Sequence, residues 1–127
     1  MSDQDIIKEA AEITFHVYTA QHSVYCDGDR ETIQKGDWYY YHDRANLKSY
    51  SQNSFNPLTN ANHTKMLKDK AVEMGWLISS ETDDGEFHIT MSKQFDKLVI
   101  IGGSGEDELR TTTEAIVEAV KKLKEPK

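Results

Sequence analysis

Cysteine is nearly absent, since Cys26 is the only one in a chain of 127 residues. A single cysteine excludes an internal disulfide, and a secreted chain of this size more often carries several. Long apolar runs are also missing, because the longest, residues 98–101, is far too short to span a membrane. The first residues lack the basic start and apolar run of a signal peptide. We therefore expect a cytoplasmic protein, with neither export nor membrane insertion.

Positive charge is scarce as well. The chain has 15 lysines and arginines against 22 aspartates and glutamates, which gives a formal net charge of -7. Such a field repels phosphate backbones and anionic lipids, so no direct nucleic-acid backbone binding is expected. An acidic protein that imitates DNA is the minor alternative. Apolar residues make up 37% of the chain, enough for one modest core, and the length predicts a single domain over residues 1–127.

The N-terminal segment has the apolar spacing of a helix. Ser2 with Asp5 three residues later fits a capping box. Periodicity then predicts a helix from residue 3 to about residue 19, within an N-terminal part that covers residues 1–20. The β-branched and aromatic residues 13–18 favour a strand and weaken the helix at its C-terminal end.

Two more helices are predicted further along the chain. Pro57 disfavours helix just before it, and an apolar stripe then runs over residues 60–74 until Gly75. The second stripe covers residues 109–123, with acidic residues at its start and lysines at its end. That order of charges complements the helix dipole.

The remaining ordered segments read as strands. Residues 76–81 and 86–91 predict a hairpin around an Asp-Asp-Gly turn, and residues 97–101 predict a third strand that ends at Gly102-Gly103-Ser104-Gly105. In sum, the sequence predicts an α+β fold in which a small antiparallel sheet of three to five strands is flanked by an N-terminal, a central and a C-terminal helix. We expect these elements to form an α/β/α layered sandwich.

The run Trp38-Tyr39-Tyr40-Tyr41 predicts a strand with large rings on both faces. Trp38 and Tyr40 point one way, and Tyr39 and Tyr41 point the other. If one face of the sheet is open, its rings are available to stack on a ligand or a partner. The alternative is that helices cover both faces.

A resemblance to a known family indicates where the protein originates and acts. The segment Phe55-Asn56-Pro57-Leu58-Thr59-Asn60, followed by a helix, a hairpin, an apolar strand and a last helix built on Thr111-Thr112-Thr113-Glu114-Ala115-Ile116, resembles the phage ABA sandwich domain family. The likeness covers roughly residues 36–124. It implies a phage or prophage origin and action in the host bacterial cytoplasm, and it brings no established catalytic residues.

Motifs for catalysis are weak throughout. The glycines at 102–105 have the outline of a phosphate loop, but no Lys-Ser or Lys-Thr follows and acidic residues occupy the start of the next helix, so a turn is favoured. His88 and Thr90 form one copy of a motif that phosphoesterases use in pairs, which favours an ordinary strand histidine. Asp27-Gly28-Asp29 favours a turn over a calcium loop. No catalytic residue, metal or cofactor is expected.

Six residues remain as candidates for binding, and they are Trp38, Tyr39, Tyr41, Asn56, His88 and Ser104. The sequence favours a non-catalytic accessory protein that binds a host protein or a small host molecule, with nucleotides among the candidates, and thereby modulates host physiology or defence. An enzyme acting on a phosphoester or nucleotide and a minor virion or assembly protein are the alternatives. Exposed aromatic residues also favour self-association, for which a two-fold homodimer is the commonest form.

Overall fold

The computed structural model describes residues 2–41, 48–94 and 98–124. These residues form three α-helices, a short 3-10 helix and eight strands. The helices are α1 (Asp3–Thr14), α2 (Ala61–Glu73) and α3 (Glu108–Lys124), and the 3-10 helix is Gln52–Ser54. The strands are β1 (Val17–Thr19), β2 (Val24–Cys26), β3 (Glu31–Ile33), β4 (Trp38–Tyr41), β5 (Ser49–Ser51), β6 (Leu77–Asp83), β7 (Glu86–Gln94) and β8 (Leu98–Gly105).

The strands are all antiparallel and divide among three sheets. The described residues give a three-stranded sheet in the order β1-β4-β5, a β2-β3 hairpin, and a three-stranded sheet in the order β6-β7-β8. The predicted α+β class is confirmed, with helices at the N-terminus, in the middle and at the C-terminus. The strands do not join into one sheet, because among the described residues no strand of one sheet pairs with a strand of another.

The N-terminal helix begins as predicted and ends earlier. Ser2 Oγ accepts a hydrogen bond from the Asp5 N–H at 3.2 Å, and Asp5 Oδ2 accepts one from the Ser2 N–H at 3.3 Å, which completes the capping box. The predicted extension to residue 19 is wrong. Residues Val17–Thr19 instead form β1 and pair with β4, because their β-branched and aromatic side chains pack better in a sheet than on a helix.

The central helix was predicted within one residue at each end. Asn60 Oδ1 accepts hydrogen bonds from the N–H groups of Asn62 and His63 at 2.9 and 3.3 Å, which caps α2. Gly75, with φ +100°, follows its last turn. The predicted hairpin is also confirmed, since Asp84 and Gly85 both take positive φ values between β6 and β7.

The third strand continues through the glycines, so the predicted turn at Gly102–Gly105 is wrong, and so is the phosphate-loop alternative. β8 runs to Gly105 and pairs with β7 along its whole length. Close packing of α3 explains Gly105, because a Cβ there would lie 2.6 Å from Thr111 Oγ1, whereas a Cβ on Gly103 would lie at an ordinary contact distance of 3.5 Å from Ala115 Cβ.

The main hydrophobic core joins the helices to β4 and to the β6-β7-β8 sheet, and a second, smaller cluster contains Ala20, Cys26 and Ile33. α3 packs against β7 and β8, and α1 and α2 pack against α3 and against each other. The largest fully buried core side chains include Trp76, Phe55, Leu67, Ile89, Met91 and Ile116. The opposite face of the β6-β7-β8 sheet is open, since Leu77 is 73% exposed and Ile100 is 60% exposed. In the part of the chain that the structure describes, every helix is too short or too polar to cross a bilayer.

The aromatic strand alternates as predicted. Trp38 and Tyr40 of β4 are buried in the main core, whereas Tyr39 and Tyr41 are partly exposed on the other face. The core face of this sheet approaches Phe15, which follows α1, and Phe55, which precedes α2. The candidate functional site lies at this junction.

Candidate functional site

A pocket lined largely by aromatic rings lies where β4 and β5 meet the start of α2. Its volume is about 350 Å³, at the lower end of the range of roughly 300–1,000 Å³ that is usual for small-molecule sites. The residues that line it are Phe15, Asp29, Tyr40, Tyr50, Ser54, Phe55, His63 and Met66. We call this site the aromatic pocket.

Four rings form the wall of the aromatic pocket. The register of β4 and β5 places Tyr40 opposite Tyr50, so both rings project from the same face, and they stack at 5.7 Å between centroids. Phe15 stacks on Tyr40 at 4.3 Å, and Phe55 meets Phe15 edge to face at 5.3 Å. Because each ring packs against at least one other, the wall is held in place before any ligand arrives.

His63 adds an imidazole to this wall from the first turn of α2. Its ring stacks on Phe55 at 5.1 Å, and its Nδ1 accepts a hydrogen bond from the backbone N–H of Asn56 at 3.0 Å. An imidazole that accepts at Nδ1 is neutral and carries its proton on Nε2. The Asn56 side chain is engaged elsewhere, because its Oδ1 accepts from the Leu58 N–H at 3.0 Å. Asn56 therefore holds His63 in position through its backbone.

Asp29 brings a carboxylate to the aromatic pocket. Its Oδ2 accepts hydrogen bonds from the Ser51 N–H at 2.8 Å and from the Ser54 hydroxyl, whereas its Oδ1 is buried and has no hydrogen-bond partner among the described residues. Burial alone raises the pKa of Asp29, but these hydrogen bonds outweigh burial and hold the pKa below its ordinary value. Asp29 is therefore ionised at neutral pH.

The β2-β3 hairpin delivers Asp29 to the pocket by packing on β5. Asp27 Oδ1 accepts from the N–H and the hydroxyl of Ser49 at 2.9 and 3.1 Å, and Glu31 Oε2 accepts from the Ser51 hydroxyl at 2.9 Å. The predicted turn at Asp27-Gly28-Asp29 is confirmed, and Gly28 donates its N–H to the Ser49 carbonyl at 2.7 Å. Alternate acidic residues of the hairpin thus bind the serine-rich β5.

Tyr40 lies close enough to Asp29 to be affected by its charge. Burial, and then the negative charge of Asp29, raises the pKa of the Tyr40 hydroxyl far above its ordinary value. The phenol therefore stays protonated over the whole physiological range, and Asp29 supplies the negative charge of this wall.

The six residues predicted from sequence fall at four separate places. Tyr39 and Tyr41 join Tyr18 in an exposed cluster on the face of β4 away from the aromatic pocket, where Tyr18 stacks on Tyr39 at 5.4 Å and meets Tyr41 edge to face at 5.7 Å. Trp38 is only 6% exposed in the main core. Asn56 adjoins the pocket as described above.

His88 and Ser104 are brought together on a different sheet. They are paired residues of β7 and β8, and Glu81 of β6 lies opposite His88 on its other side. Their side chains lie on the open face, with His88 half-buried and Ser104 exposed. The two residues are neighbours as a strand pair, with no glycine loop beside them.

Sequence reasoning missed most of the residues that line the aromatic pocket. Tyr40 was not among the binding candidates, and Phe15, Tyr50 and His63 were assigned no binding role. The alternation of β4 contained a signal for the pocket. Tyr40 lies on the face opposite Tyr39 and Tyr41, and a large ring on that face needs other large side chains to pack against. Among the described residues, no group of three or more His, Cys, Asp or Glu side chains is placed to hold a metal ion.

The chain matches no family model, no curated protein and no solved structure. The resemblance to the phage ABA sandwich domain family stays a prediction.

Proposed function

We propose that this protein is a non-catalytic binding protein that holds a small molecule in the aromatic pocket. The observation that carries the proposal is the combination of a wall of four packed rings with one ionised carboxylate at its edge. Rings supply apolar area at little cost in conformational entropy, and a single polar group fixes the orientation of a ligand. Such a site selects and retains a molecule.

The polar groups of the pocket favour binding over catalysis. A general base needs an accessible lone pair beside the proton that it removes. His63 Nδ1 and Asp29 Oδ2 both accept hydrogen bonds from the protein itself, His63 Nε2 carries the proton of the ring, and Asp29 Oδ1, which accepts no hydrogen bond from a described residue, is buried. Cys26 is fully buried, and burial, followed by the charge of Asp29, raises the pKa of its thiol. A thiol that stays protonated is a poor nucleophile.

The resemblance to the phage ABA sandwich domain family supports a setting for this binding. We propose that the protein is a phage or prophage accessory protein and that the molecule it holds belongs to the bacterial host. The two segments that carry the resemblance contact each other, because the Thr113 hydroxyl donates to the Pro57 carbonyl at 3.3 Å. Sequestering a host molecule in the cytoplasm would alter host physiology or defence.

The exposed tyrosine cluster favours a second candidate function, the binding of a host protein. Tyr18 is 40% exposed and stacks on Tyr39, and tyrosines are frequent anchors of protein interfaces. A matched control is available in Tyr25, which is 61% exposed and lies on the β2-β3 hairpin. A host protein retained by the wild type and by Tyr25→Ser, and lost by Tyr18→Ser, would support this function. Equal retention by all three proteins would dismiss it.

The small-molecule proposal is tested by incubating the purified full chain with a bacterial metabolite extract and identifying the retained compounds by mass spectrometry. Two variants of tyrosines in the same sheet distinguish binding in the pocket from binding elsewhere on the surface. Tyr50→Leu removes a ring of the pocket, and Tyr41→Leu removes a ring from the opposite face. We expect retention to be lost in Tyr50→Leu and kept in Tyr41→Leu. Failure of the wild type to retain any compound would refute the proposal.

A further inference from the structure

The charge of the described residues that line the aromatic pocket has one sign. Of the residues that line it, Asp29 is ionised, and His63 is neutral because its Nδ1 accepts the Asn56 N–H. The chain as a whole carries a formal net charge of -7. Both the local charge and the long-range field therefore attract positively charged ligands and repel anions.

One carboxylate oxygen of Asp29 accepts no hydrogen bond from a described residue. Oδ2 accepts two hydrogen bonds, but Oδ1 is buried and has no hydrogen-bond partner among the described residues. A buried carboxylate oxygen without a donor is costly, and most such atoms in proteins are paired. A positive charge held in the pocket beside Asp29 would reduce that cost.

The rings of the wall suit the same kind of ligand. The faces of aromatic rings carry negative charge, and they attract cations that lie within about 6 Å of the ring centre. Phe15, Tyr40, Tyr50 and Phe55 all line the pocket. Quaternary ammonium groups, which are too bulky and apolar to be well hydrated, are commonly bound by several rings with a carboxylate nearby.

We propose that the ligand of the aromatic pocket is a small organic cation, an amine or a quaternary ammonium compound whose charge is surrounded by carbon. The inference rests on the proposed function of the same pocket and names its ligand class. Anionic metabolites, free nucleotides included, are disfavoured by the same arrangement. Asp29 supplies the counter-charge. Phe15 and Tyr50, the partly exposed rings of the wall, supply the apolar and cation–π contacts, and the buried Tyr40 and Phe55 pack against them.

A pair of probes tests the charge directly. Choline and 3,3-dimethyl-1-butanol have nearly the same shape, and they differ in the positive charge of the quaternary nitrogen. Each is titrated into the isotopically labelled full chain, and binding is followed from the backbone amide resonances of Phe15, Tyr50 and His63. We expect choline to bind about tenfold more tightly than the alcohol, since the cation–π and carboxylate contacts are absent for the alcohol.

Two aspartate variants with the same net charge show whether the effect is local. Asp29→Asn should weaken choline and so reduce its advantage over the alcohol to the part that the rings supply, and it should leave the alcohol unchanged. Asp83→Asn removes an exposed carboxylate at the β6-β7 turn, and it should leave both probes as in the wild type. If Asp29→Asn detaches the hairpin, Tyr50→Leu is used in place of that variant, and the loss of one ring face should weaken choline more than the alcohol.

Each result bears on one of the two proposals. Equal binding of the two probes, or binding of neither, would overturn the assignment of an organic cation. Retention of a neutral or anionic host compound in the pocket would also overturn it, while the pocket would remain a small-molecule site. If the extract and both probes leave the pocket resonances unmoved, the proposed function fails together with this inference.

Discussion

The hydroxyl of Thr113 in α3 donates a hydrogen bond to the backbone carbonyl of Pro57 at 3.3 Å, across a sequence separation of 56 residues. The Thr64 hydroxyl of α2 donates to the same carbonyl at 2.6 Å. One oxygen therefore joins the segment before α2 to both α2 and α3. Because Asn56 is the residue immediately before Pro57 and its N–H donates to His63 Nδ1, this junction also supports one side of the aromatic pocket.

We expect Thr113→Val to destabilise the protein by about 1 kcal/mol, the usual net contribution of one hydrogen bond. The side chain is fully buried and valine keeps its shape, so the change removes the hydroxyl without opening a cavity. Thr90→Val, on the exposed face of β7, serves as the control and should stay within about 0.5 kcal/mol of the wild type. Urea unfolding followed by circular dichroism measures both. Equal stability of the two variants would show that the junction contributes nothing.

Gly28→Ala should displace the β2-β3 hairpin from β5. A Cβ at Gly28 would lie 2.6 Å from the Ser49 carbonyl oxygen and 2.7 Å from the Tyr50 ring, so the backbone or the ring must move. We expect a loss of roughly 1–3 kcal/mol in stability and weaker binding of any pocket ligand, because Asp29 moves with the hairpin. Gly102→Ala is the matched control, since the atom nearest to its Cβ would be the Ile89 carbonyl oxygen, at 3.9 Å. Stability and binding unchanged in Gly28→Ala would contradict this packing.

Features specified by neighbouring residues were predictable from sequence. The capping box of Ser2, the cap at Asn60 and the Asp84-Gly85 turn each depend on a few consecutive residues, and all three are found in the structure. The end of α1 was not predictable in the same way. Periodicity alone could not show that Val17–Thr19 pair with β4, a segment about twenty residues away.

The aromatic pocket depends on contacts between distant segments. Phe15, Asp29, Tyr50 and His63 come from four separate parts of the chain. Alternation in β4 indicated which rings share a face, but not which elements cover that face. Gly105 of β8 was misread for a related reason, because only the position of α3 against the strand shows that a side chain there would clash with Thr111.

Acid should weaken the packing of the hairpin on β5. Hydrogen bonds from the Ser49 N–H and hydroxyl hold the pKa of Asp27 below its ordinary value of 3.8, and the pKa of Asp29 is also lowered. A lowered pKa in the folded state adds stability that is fully present above the ordinary value and is lost as the pH falls through the folded value. We therefore expect the free energy of unfolding to be nearly constant from pH 7 to pH 5 and to fall below about pH 4.

The contribution of the hairpin can be separated from that of Asp3, whose pKa is lowered by its hydrogen bond to Arg110. Asp27→Asn should flatten the decline in unfolding free energy below pH 4, and Asp3→Asn should remove a different part of it. The measurement is a series of urea unfolding curves between pH 7 and pH 2. A decline in Asp27→Asn as steep as that of the wild type would show that Asp27 is not linked to folding.

The thiol of Cys26 should report whether the hairpin is in place. Cys26 is fully buried, and burial, followed by the negative charge of Asp29, raises the pKa of its thiol, so both access and thiolate content are low. We expect the reaction with Ellman's reagent to be at least about tenfold slower in the native protein than in urea, equivalent to a local opening free energy of about 1.4 kcal/mol. Gly28→Ala should speed the native reaction and Gly102→Ala should not, because only the first substitution forces the hairpin away from β5. If the thiol of the folded wild type reacted as fast as the thiol of the unfolded chain, the hairpin could not be packed as described, and Asp29 would not be held beside the aromatic rings.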